Sequence, residues 1–272
     1  MTELLTVEPL VRLAVFAIVL GLLVALELVA PRRRLTIKRW RRWPGNAGTS
    51  VIGALLIRLI FPTAAVGFAL VAEARGWGLL NHVAVPDWLA VVGAIILLDL
   101  IIYGQHVLFH ANSLLWRLHR MHHADLDIDV TTGIRFHPFE FLLSMVIKLG
   151  AIVTLGAPAL GVMIFEILLN AMAMFSHSNV RLPVRLDDWL RRVLVTPDMH
   201  RVHHSIVPRE THSNFGFNLP WWDYLFGTYR DQPERGHEGM TIGLPSFRDD
   251  SELRLDRMLL QPLRDDRIEE TS

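Results

Sequence analysis

Histidines at helical spacing are the residues in this sequence that are best suited to chemistry. The chain has 13 histidines and no cysteine, and most of the histidines fall into four short clusters. In the first cluster, Asp99, Tyr103, His106 and His110 follow one another at intervals of four, three and four residues. Residues with this spacing share one face of an α-helix. The cluster therefore predicts a polar stripe that directs two imidazoles at one metal ion.

Two further clusters share the pattern HxxHH, and they comprise His119, His122, His123, His200, His203 and His204. Within each pattern the three imidazoles converge on one side of a helix, and the adjacent pair can serve two neighbouring ions. The fourth cluster centres on His177. Neutral imidazole binds iron, zinc and copper. Because a single zinc ion takes about four ligands, nine clustered histidines predict a site for two metal ions.

The remaining histidines are less clearly placed. His137 is predicted to be a metal ligand, a hydrogen-bond partner of a ligand or a contact to lipid headgroups, and these alternatives stay open. His82, His212 and His237 are predicted to have no role in metal binding. The absence of cysteine excludes thiolate metal sites, and the absence of HExxH disfavours a single-zinc metalloprotease.

Long apolar segments must position these histidines. They cover residues 10–30, 50–71, 88–109 and 139–175, and the last is interrupted at Gly156–Leu160. A membrane-spanning helix needs roughly 20 apolar residues. We expect the first segment to be a retained span and not a cleaved signal peptide, because the basic residues follow it. The last segment predicts a hairpin that either spans the membrane or re-enters it. The fold expected is all-α, with about four to five spans or re-entrant segments and a helical cap that carries the histidines.

The charge pattern predicts the orientation of these spans. Residues 32–42 contain seven arginines and lysines, which is typical of a cytoplasmic loop. We expect these cations to face lipid headgroups and not nucleic acid, since the net formal charge is zero. Following the spans in order then places every histidine cluster on the cytoplasmic face of the cell membrane. Asp125, Asp127 and Asp129 are predicted to form a solvated loop, and the chain from Asp249 onward is predicted to be peripheral.

Taken together, these motifs resemble those of the fatty acid hydroxylase superfamily, which includes the sterol desaturases. The resemblance rests on HxxxH, on the two HxxHH boxes, and on segments 116–123, 135–140, 213–216 and 222–228. It covers roughly residues 95–230. The expected domains are an N-terminal membrane region (1–94), the hydroxylase-like catalytic domain (95–230) and a polar C-terminal tail (231–272).

The resemblance implies an integral-membrane di-iron oxygenase that hydroxylates or desaturates a C–H bond of a sterol or fatty-acyl lipid. Such an enzyme uses dioxygen and two external electrons. The ligands of the two iron ions would be His106, His110, His119, His122, His123, His177, His200, His203 and His204, with His137 as a further candidate. Zinc can replace iron at imidazole sites. With no cysteine for an iron–sulfur cluster, the electrons are expected from a separate ferredoxin-like or cytochrome b5-like protein with its reductase.

Five polar residues are predicted to assist catalysis by holding the histidine ligands, namely Asp99, Tyr103, Glu140, Asn179 and Asp198. Imidazole ligands usually donate their second N–H to a carboxylate or carbonyl. A carboxylate inside a membrane span is costly, so Asp99 is expected to have a functional partner. A simple interhelical hydrogen bond is the alternative.

Two other functions are alternatives for this pattern. A non-catalytic membrane metal-binding protein or a metal transporter would also need clustered histidines, although transport favours ligands distributed through the depth of the membrane. A membrane hydrolase would need a nucleophile or an HExxH-type base, and the sequence shows neither.

Overall fold

The computed structural model describes residues 2–265, and over this range the protein is all-helical, as predicted; apart from two isolated bridges, no β-structure forms there. The helices are α1 (Thr2–Val29), α2 (Arg39–Ile60), α3 (Ala64–Ala74), α4 (Asp87–Ala111), α5 (Ser113–His123), α6 (Pro138–Leu155), α7 (Ala159–His177), α8 (Val184–Leu190), α9 (Pro197–His203), α10 (Pro208–Thr211), α11 (Trp221–Phe226), α12 (Gly236–Gly239) and α13 (Leu255–Leu260).

Five helical segments in the described part of the chain are long and apolar enough to cross a membrane. They are Val7–Val29, Arg39–Asn81, Asp87–Ala111, Pro138–Leu155 and Ala159–His177. The second segment differs from the prediction in two ways. It begins at Arg39, inside the predicted basic loop, and it breaks after Ile60. The break follows from Pro62, because the residue before a proline is disfavoured in a helix.

The predicted break of the last apolar segment into two helices, α6 and α7, is confirmed. Gly156 ends α6 in the left-handed conformation, with φ of 66°, and its N–H donates to the carbonyl of Ile152. A Cβ atom at this position would lie 2.7 Å from Asn81 Nδ2 and 2.8 Å from the carbonyl of Trp77. Glycine is therefore required both for the backbone conformation and for the close approach of the preceding loop.

The membrane bundle packs around α4, α6 and α7. Its buried core includes Leu98 from α4, Ile152 from α6, and Val162 and Phe165 from α7. The first helix packs on the other side of α7, where Leu23 belongs to a second apolar cluster. This packing brings the C-terminal ends of α4 and α7 and the N-terminal end of α6 to the same end of the bundle.

The acidic run between α5 and α6 is buried, so the prediction of a solvated loop is wrong. Asp125 and Asp129 are 0% exposed and Asp127 is 2% exposed. Arg42 of α2, which was predicted to face lipid headgroups, points inward: its Nε and Nη2 lie 2.7 and 2.8 Å from the Asp125 carboxylate, and its Nη1 lies 2.7 Å from Asp129. A buried carboxylate is tolerated when a guanidinium satisfies it in this way.

The prediction of a peripheral segment from Asp249 onward is also wrong for the residues that the structure describes. Leu253 and Met258 are buried, and α13 packs against α2. Gly45 of α2 lies so close to the carbonyl of Leu253 that a Cβ atom there would clash with it. The described C-terminal segment is therefore a buried part of the cap and packs against the start of α2.

Candidate metal centre

The first two histidine clusters meet at a bend between α4 and α5. His106 and His110 lie in the last turns of α4. Asn112 then caps α5, with its Oδ1 accepting from the N–H groups of Leu114 and Leu115 at 3.0 and 3.2 Å. Asparagine is a favoured N-cap because its side chain satisfies these free donors. Because of this bend, α5 packs against the end of α4, and the histidines of α5 face those of α4.

The other two clusters arrive from the opposite side. His177 is the last residue of α7. The cluster at 200–204 lies on α9, whose start is set by Thr196 as N-cap and Pro197 in the first turn. Proline is favoured at this position because its missing N–H has no partner inside the helix. The α9 helix packs directly against α7.

These elements bring nine buried histidines together in two adjacent groups, and within each group one ligand atom per residue lies within 4.8 Å of all the others. The first histidine group comprises His106, His110, His119, His123 and His203, and the second comprises His122, His177, His200 and His204. Each HxxHH box contributes to both groups, because its two adjacent histidines point to different sides. The nine are the same histidines that the sequence motifs single out.

Main-chain carbonyls orient two imidazoles of the first group. His106 Nδ1 lies 2.8 Å from the carbonyl of Phe215, and His203 Nδ1 lies 2.7 Å from the carbonyl of Ser213. Because a carbonyl oxygen only accepts, each Nδ1 carries the hydrogen and each Nε2 carries a free lone pair. Neither Nε2 atom has a hydrogen-bond partner among the described residues. Buried polar atoms are rarely left unsatisfied, so this arrangement fits coordination of a cation.

A carboxylate orients a third imidazole of the first group. His119 Nδ1 lies 2.7 Å from Glu140 Oε1, and both residues are buried. The Nε2 atom of His119 is again free of partners within the described range. Glu140 is therefore placed to hold His119 in the tautomer that presents a lone pair to a metal.

We expect Glu140→Ala to weaken metal binding without abolishing the fold. Loss of a hydrogen-bond partner of a metal-bound histidine typically costs about 10–100-fold in metal affinity or activity. The measurement is a competition titration of iron or zinc against a chelator. Glu140→Gln, whose amide oxygen can still accept from Nδ1, should retain more affinity than Glu140→Ala. Equal affinity in both variants and the wild type would contradict the assigned role.

The second group contains a close contact between two ring nitrogens that both present lone pairs. His122 Nδ1 lies 3.1 Å from the carbonyl of Arg135, and His177 Nδ1 lies 2.6 Å from the carbonyl of Ala173. Both Nε2 atoms therefore carry lone pairs, yet they lie 3.0 Å apart. His200 Nε2 lies 3.1 Å from His177 Nε2. A positive ion between these nitrogens would replace lone-pair repulsion with coordination.

Burial favours the neutral form of three histidines in the two groups. It lowers the pKa of His122, His123 and His203 well below the ordinary value, because the charged imidazolium is disfavoured away from water. Neighbouring histidines lower these pKa values further. Imidazole binds a metal in its neutral form, so the site favours the protonation state that coordination needs.

His137, for which a role as metal ligand stayed open, lies outside both groups. It caps α6, with Nδ1 accepting from the N–H of Phe139 at 3.3 Å. Its Nε2 lies 3.2 Å from the carbonyl of Leu259 in α13. Both ring nitrogens are thus committed to the fold. The HPxE pattern alone does not predict this role of His137, because the partner of its Nε2 atom is Leu259, in the C-terminal segment.

Of the five polar residues predicted to hold ligands, only Glu140 contacts a histidine of either group. The other four stabilise neighbouring segments. Asp99 accepts from the main chain of residues 218 and 219 and from Trp222 Nε1, and the Tyr103 hydroxyl lies 2.9 Å from Thr228 Oγ1. Asn179 bonds the main chain of Arg33, and Asp198 pairs with Arg32 and Arg201. These four residues therefore hold parts of the fold around the site and do not orient the imidazoles of either group.

The acceptors that hold four of the nine Nδ1 atoms, those of His106, His122, His177 and His203, could not be predicted from the sequence, because they are main-chain carbonyls. A carbonyl leaves no signal in residue type. Two aromatic contacts were also missed. Phe136 stacks on His122, with ring centroids 4.4 Å apart, and Trp116 lies 4.8 Å from His110. Both aromatic residues belong to segments that resemble the superfamily motifs.

Comparison with known proteins points to one family. The family model described as fatty acid hydroxylase matches residues 91–228. An ornithine lipid hydroxylase, OlsE from Rhizobium tropici, is 31% identical over 148 residues, which is 54% of this chain and 44% of that protein. The alkylglycerol monooxygenase of Xenopus tropicalis is 27% identical over 161 residues, or 59% of this chain and 34% of that protein.

A third kind of relative carries a different name. The very-long-chain aldehyde decarbonylase GL1-4 of Oryza sativa subsp. indica is 24% identical over 157 residues, which is 53% of this chain and 24% of that protein. The match to this chain thus spans less than half the length of each of these relatives. No solved structure gives a significant match.

Proposed function

The chain belongs to the fatty acid hydroxylase family, and from this premise we propose that it is a membrane-embedded di-iron oxygenase. It inserts oxygen into an unactivated C–H bond of a lipid, using dioxygen and two electrons from a separate donor protein. Hydroxylation is favoured over desaturation, because two of the relatives are named for hydroxylase or monooxygenase activity, one on ornithine lipid and one on alkylglycerol.

The observation that supports this proposal most strongly is the donor set. Nine buried imidazoles in two adjacent groups suit two borderline metal ions such as Fe(II). No cysteine is present to hold an iron–sulfur cluster. When bound, the irons would supply the activation of dioxygen and the abstraction of hydrogen that no side chain of the chain can perform.

The chain's own residues have three tasks in this proposal. The carbonyls and Glu140 orient the imidazoles. The buried cap limits the access of water, which protects reactive chemistry from side reactions. The membrane bundle gives the lipid access to the site. Histidines of both groups lie at the ends of α4 and α7. Exposed apolar residues such as Leu108, Leu114 and Phe139 lie near histidines of the site in the sequence. A lipid chain could then reach the site from the bilayer.

A metal transporter or a non-catalytic metal-binding protein is the alternative. Transport favours ligands at several depths along a path through the bilayer. The nine histidines are instead concentrated at one end of the bundle, and we propose that this end faces the cytoplasm, where the electron donor would bind. The concentrated arrangement favours catalysis.

We expect the reconstituted protein to transfer labelled oxygen from dioxygen into a lipid. The experiment uses full-length protein in lipid vesicles, loaded with iron and supplied with a ferredoxin-type or cytochrome b5-type donor and its reductase. The vesicles contain ornithine lipid, alkylglycerols, sterols or simple phospholipids in separate arms. Mass spectrometry should find one added oxygen in at least one lipid. Fully reduced and iron-loaded protein that labels no lipid in any arm would contradict the oxygenase proposal and favour the alternative.

A further inference from the structure

Two carbonyls that orient the first histidine group come from one short loop. This loop, residues 213–216, is called the carbonyl strap below. The Ser213 carbonyl holds His203, and the Phe215 carbonyl holds His106. The two histidines lie on α9 and α4, which are far apart in sequence. The conformation of one loop therefore sets the orientation of imidazoles from two different helices.

The residue between these carbonyls has an unusual backbone conformation. Asn214 has φ of 52°, in the left-handed region, which asparagine adopts more readily than most residues. Its side chain is fully committed to holding this conformation. Nδ2 donates to the carbonyls of Met199 and Arg230 at 2.9 and 2.8 Å, and Oδ1 accepts from the N–H of Arg230 at 2.8 Å.

The buried carboxylate of Asp223 accepts hydrogen bonds from the main chain of the carbonyl strap. Asp223 Oδ1 accepts from the N–H of Phe215, and Oδ2 accepts from the N–H of Gly216, both at 2.8 Å. Thr228 Oγ1 donates to the same carboxylate at 2.6 Å and also contacts Tyr103 of α4. A hydrogen bond to a charged acceptor is stronger than a neutral one. Asp223 thus fixes the Phe215–Gly216 peptide group, whose carbonyl holds His106. The Ser213–Asn214 peptide group, whose carbonyl holds His203, donates its N–H to the carbonyl of Thr228 at 2.9 Å.

The second histidine group is held from a different part of the chain. The carbonyl of Arg135, between α5 and α6, bonds His122 Nδ1. The guanidinium of Arg135 is fixed in turn, with Nε donating to the carbonyl of Met121 at 2.9 Å and Nη1 donating to Asn46 Oδ1 at 2.8 Å. Asn46 lies on α2 and also donates to Asp125. Arg135 is therefore held by the buried network of Asn46, Asp125 and Arg42.

We propose that the two metal sites are positioned independently: the carbonyl strap and Asp223 orient the first histidine group, and Arg135 orients the second. These are positioning residues, since they act through the ligands and touch neither a metal nor a substrate. The inference rests on the two-metal part of the proposed function. It predicts that each site can be emptied without emptying the other.

The test measures metal content and does not require turnover. Purified wild type, Asp223→Asn and Arg135→Lys are loaded with iron, passed through a desalting column, and assayed for iron per chain. We expect two irons in the wild type and one in each variant. Asn214→Gly, which tolerates the left-handed conformation but loses the side-chain bonds, should show the same loss as Asp223→Asn. A chain that has simply misfolded would lose both ions.

Paired substitutions identify which ion remains. In the Asp223→Asn background, adding His177→Ala should remove the remaining iron, whereas adding His203→Ala should change nothing further. In the Arg135→Lys background the two effects should be reversed. Loss of both ions or retention of both in Asp223→Asn and in Asn214→Gly would overturn independent positioning. A wild type that fails to bind two irons would instead contradict the proposed function itself.

Discussion

Replacing His122 with alanine should abolish lipid oxidation and lower the metal content of the purified protein. His122 Nε2 lies 3.0 Å from His177 Nε2 in the second group, so its removal takes away one of the four imidazoles that the described residues place there. Loss of a residue that merely holds a ligand costs about 10–100-fold, and loss of a ligand should exceed that. Iron analysis and oxygen-labelling assays on the same preparation provide the measurement. His203→Ala should have a comparable effect through the first group.

His82→Ala is the matched control for this substitution. His82 is exposed on the loop between α3 and α4, remote in sequence from the clusters, and should be replaceable without change in metal content or turnover. His237 is a less suitable control, because it is buried beside Asp198. If His122→Ala kept both full metal content and full turnover, the assignment of His122 as a ligand would be wrong.

Replacing Arg42 with alanine should cause a large loss of stability of the cap. Arg42 is completely buried and neutralises Asp125 and Asp129; it also donates to Thr132 and to the carbonyl of Asp127. Removing one partner of a buried ion pair leaves an uncompensated charge, which costs about 3–5 kcal/mol. Denaturant unfolding of the detergent-solubilised protein, followed by tryptophan fluorescence, measures this free energy.

Arg254→Ala is the control for Arg42→Ala. Arg254 pairs with Asp256 on the surface, and exposed ion pairs contribute little to stability. The denaturation midpoint of Arg254→Ala should therefore match that of the wild type. If Arg42→Ala unfolded at the same denaturant concentration as both, the buried network would not be stabilising the cap.

Much of the fold follows from patterns that are local in sequence. Apolar runs of about 20 residues predict the spans, and the Gly-Pro break at Gly156 predicts the hairpin between α6 and α7. Tertiary partners are harder to predict. The alternating acids at Asp125 and Asp129 suggest a solvated loop until Arg42, more than eighty residues away, is known to lie against them. Local sequence carries no signal for such a pair.

In the candidate site, too, the features that are local in sequence can be predicted and the tertiary partners cannot. Helical spacing predicts which imidazoles share a face, and it identifies eight of the nine histidines that the structure brings together. The ninth, His177, has no histidine at helical spacing and forms a cluster of its own. The spacing does not predict which polar groups hold these histidines. Asp99 and Asp198 are carboxylates close in sequence to a cluster, yet main-chain donors and arginines bind them. The groups that hold His106 and His203 are carbonyls, and these depend on the conformation of Asn214.

Anomalous diffraction at the iron absorption edge, on crystals of iron-loaded protein, tests the central claim most directly. The account predicts two separate peaks per chain, one among His106, His110, His119, His123 and His203 and the other among His122, His177, His200 and His204. A single peak, or iron bound elsewhere in the chain, would contradict it.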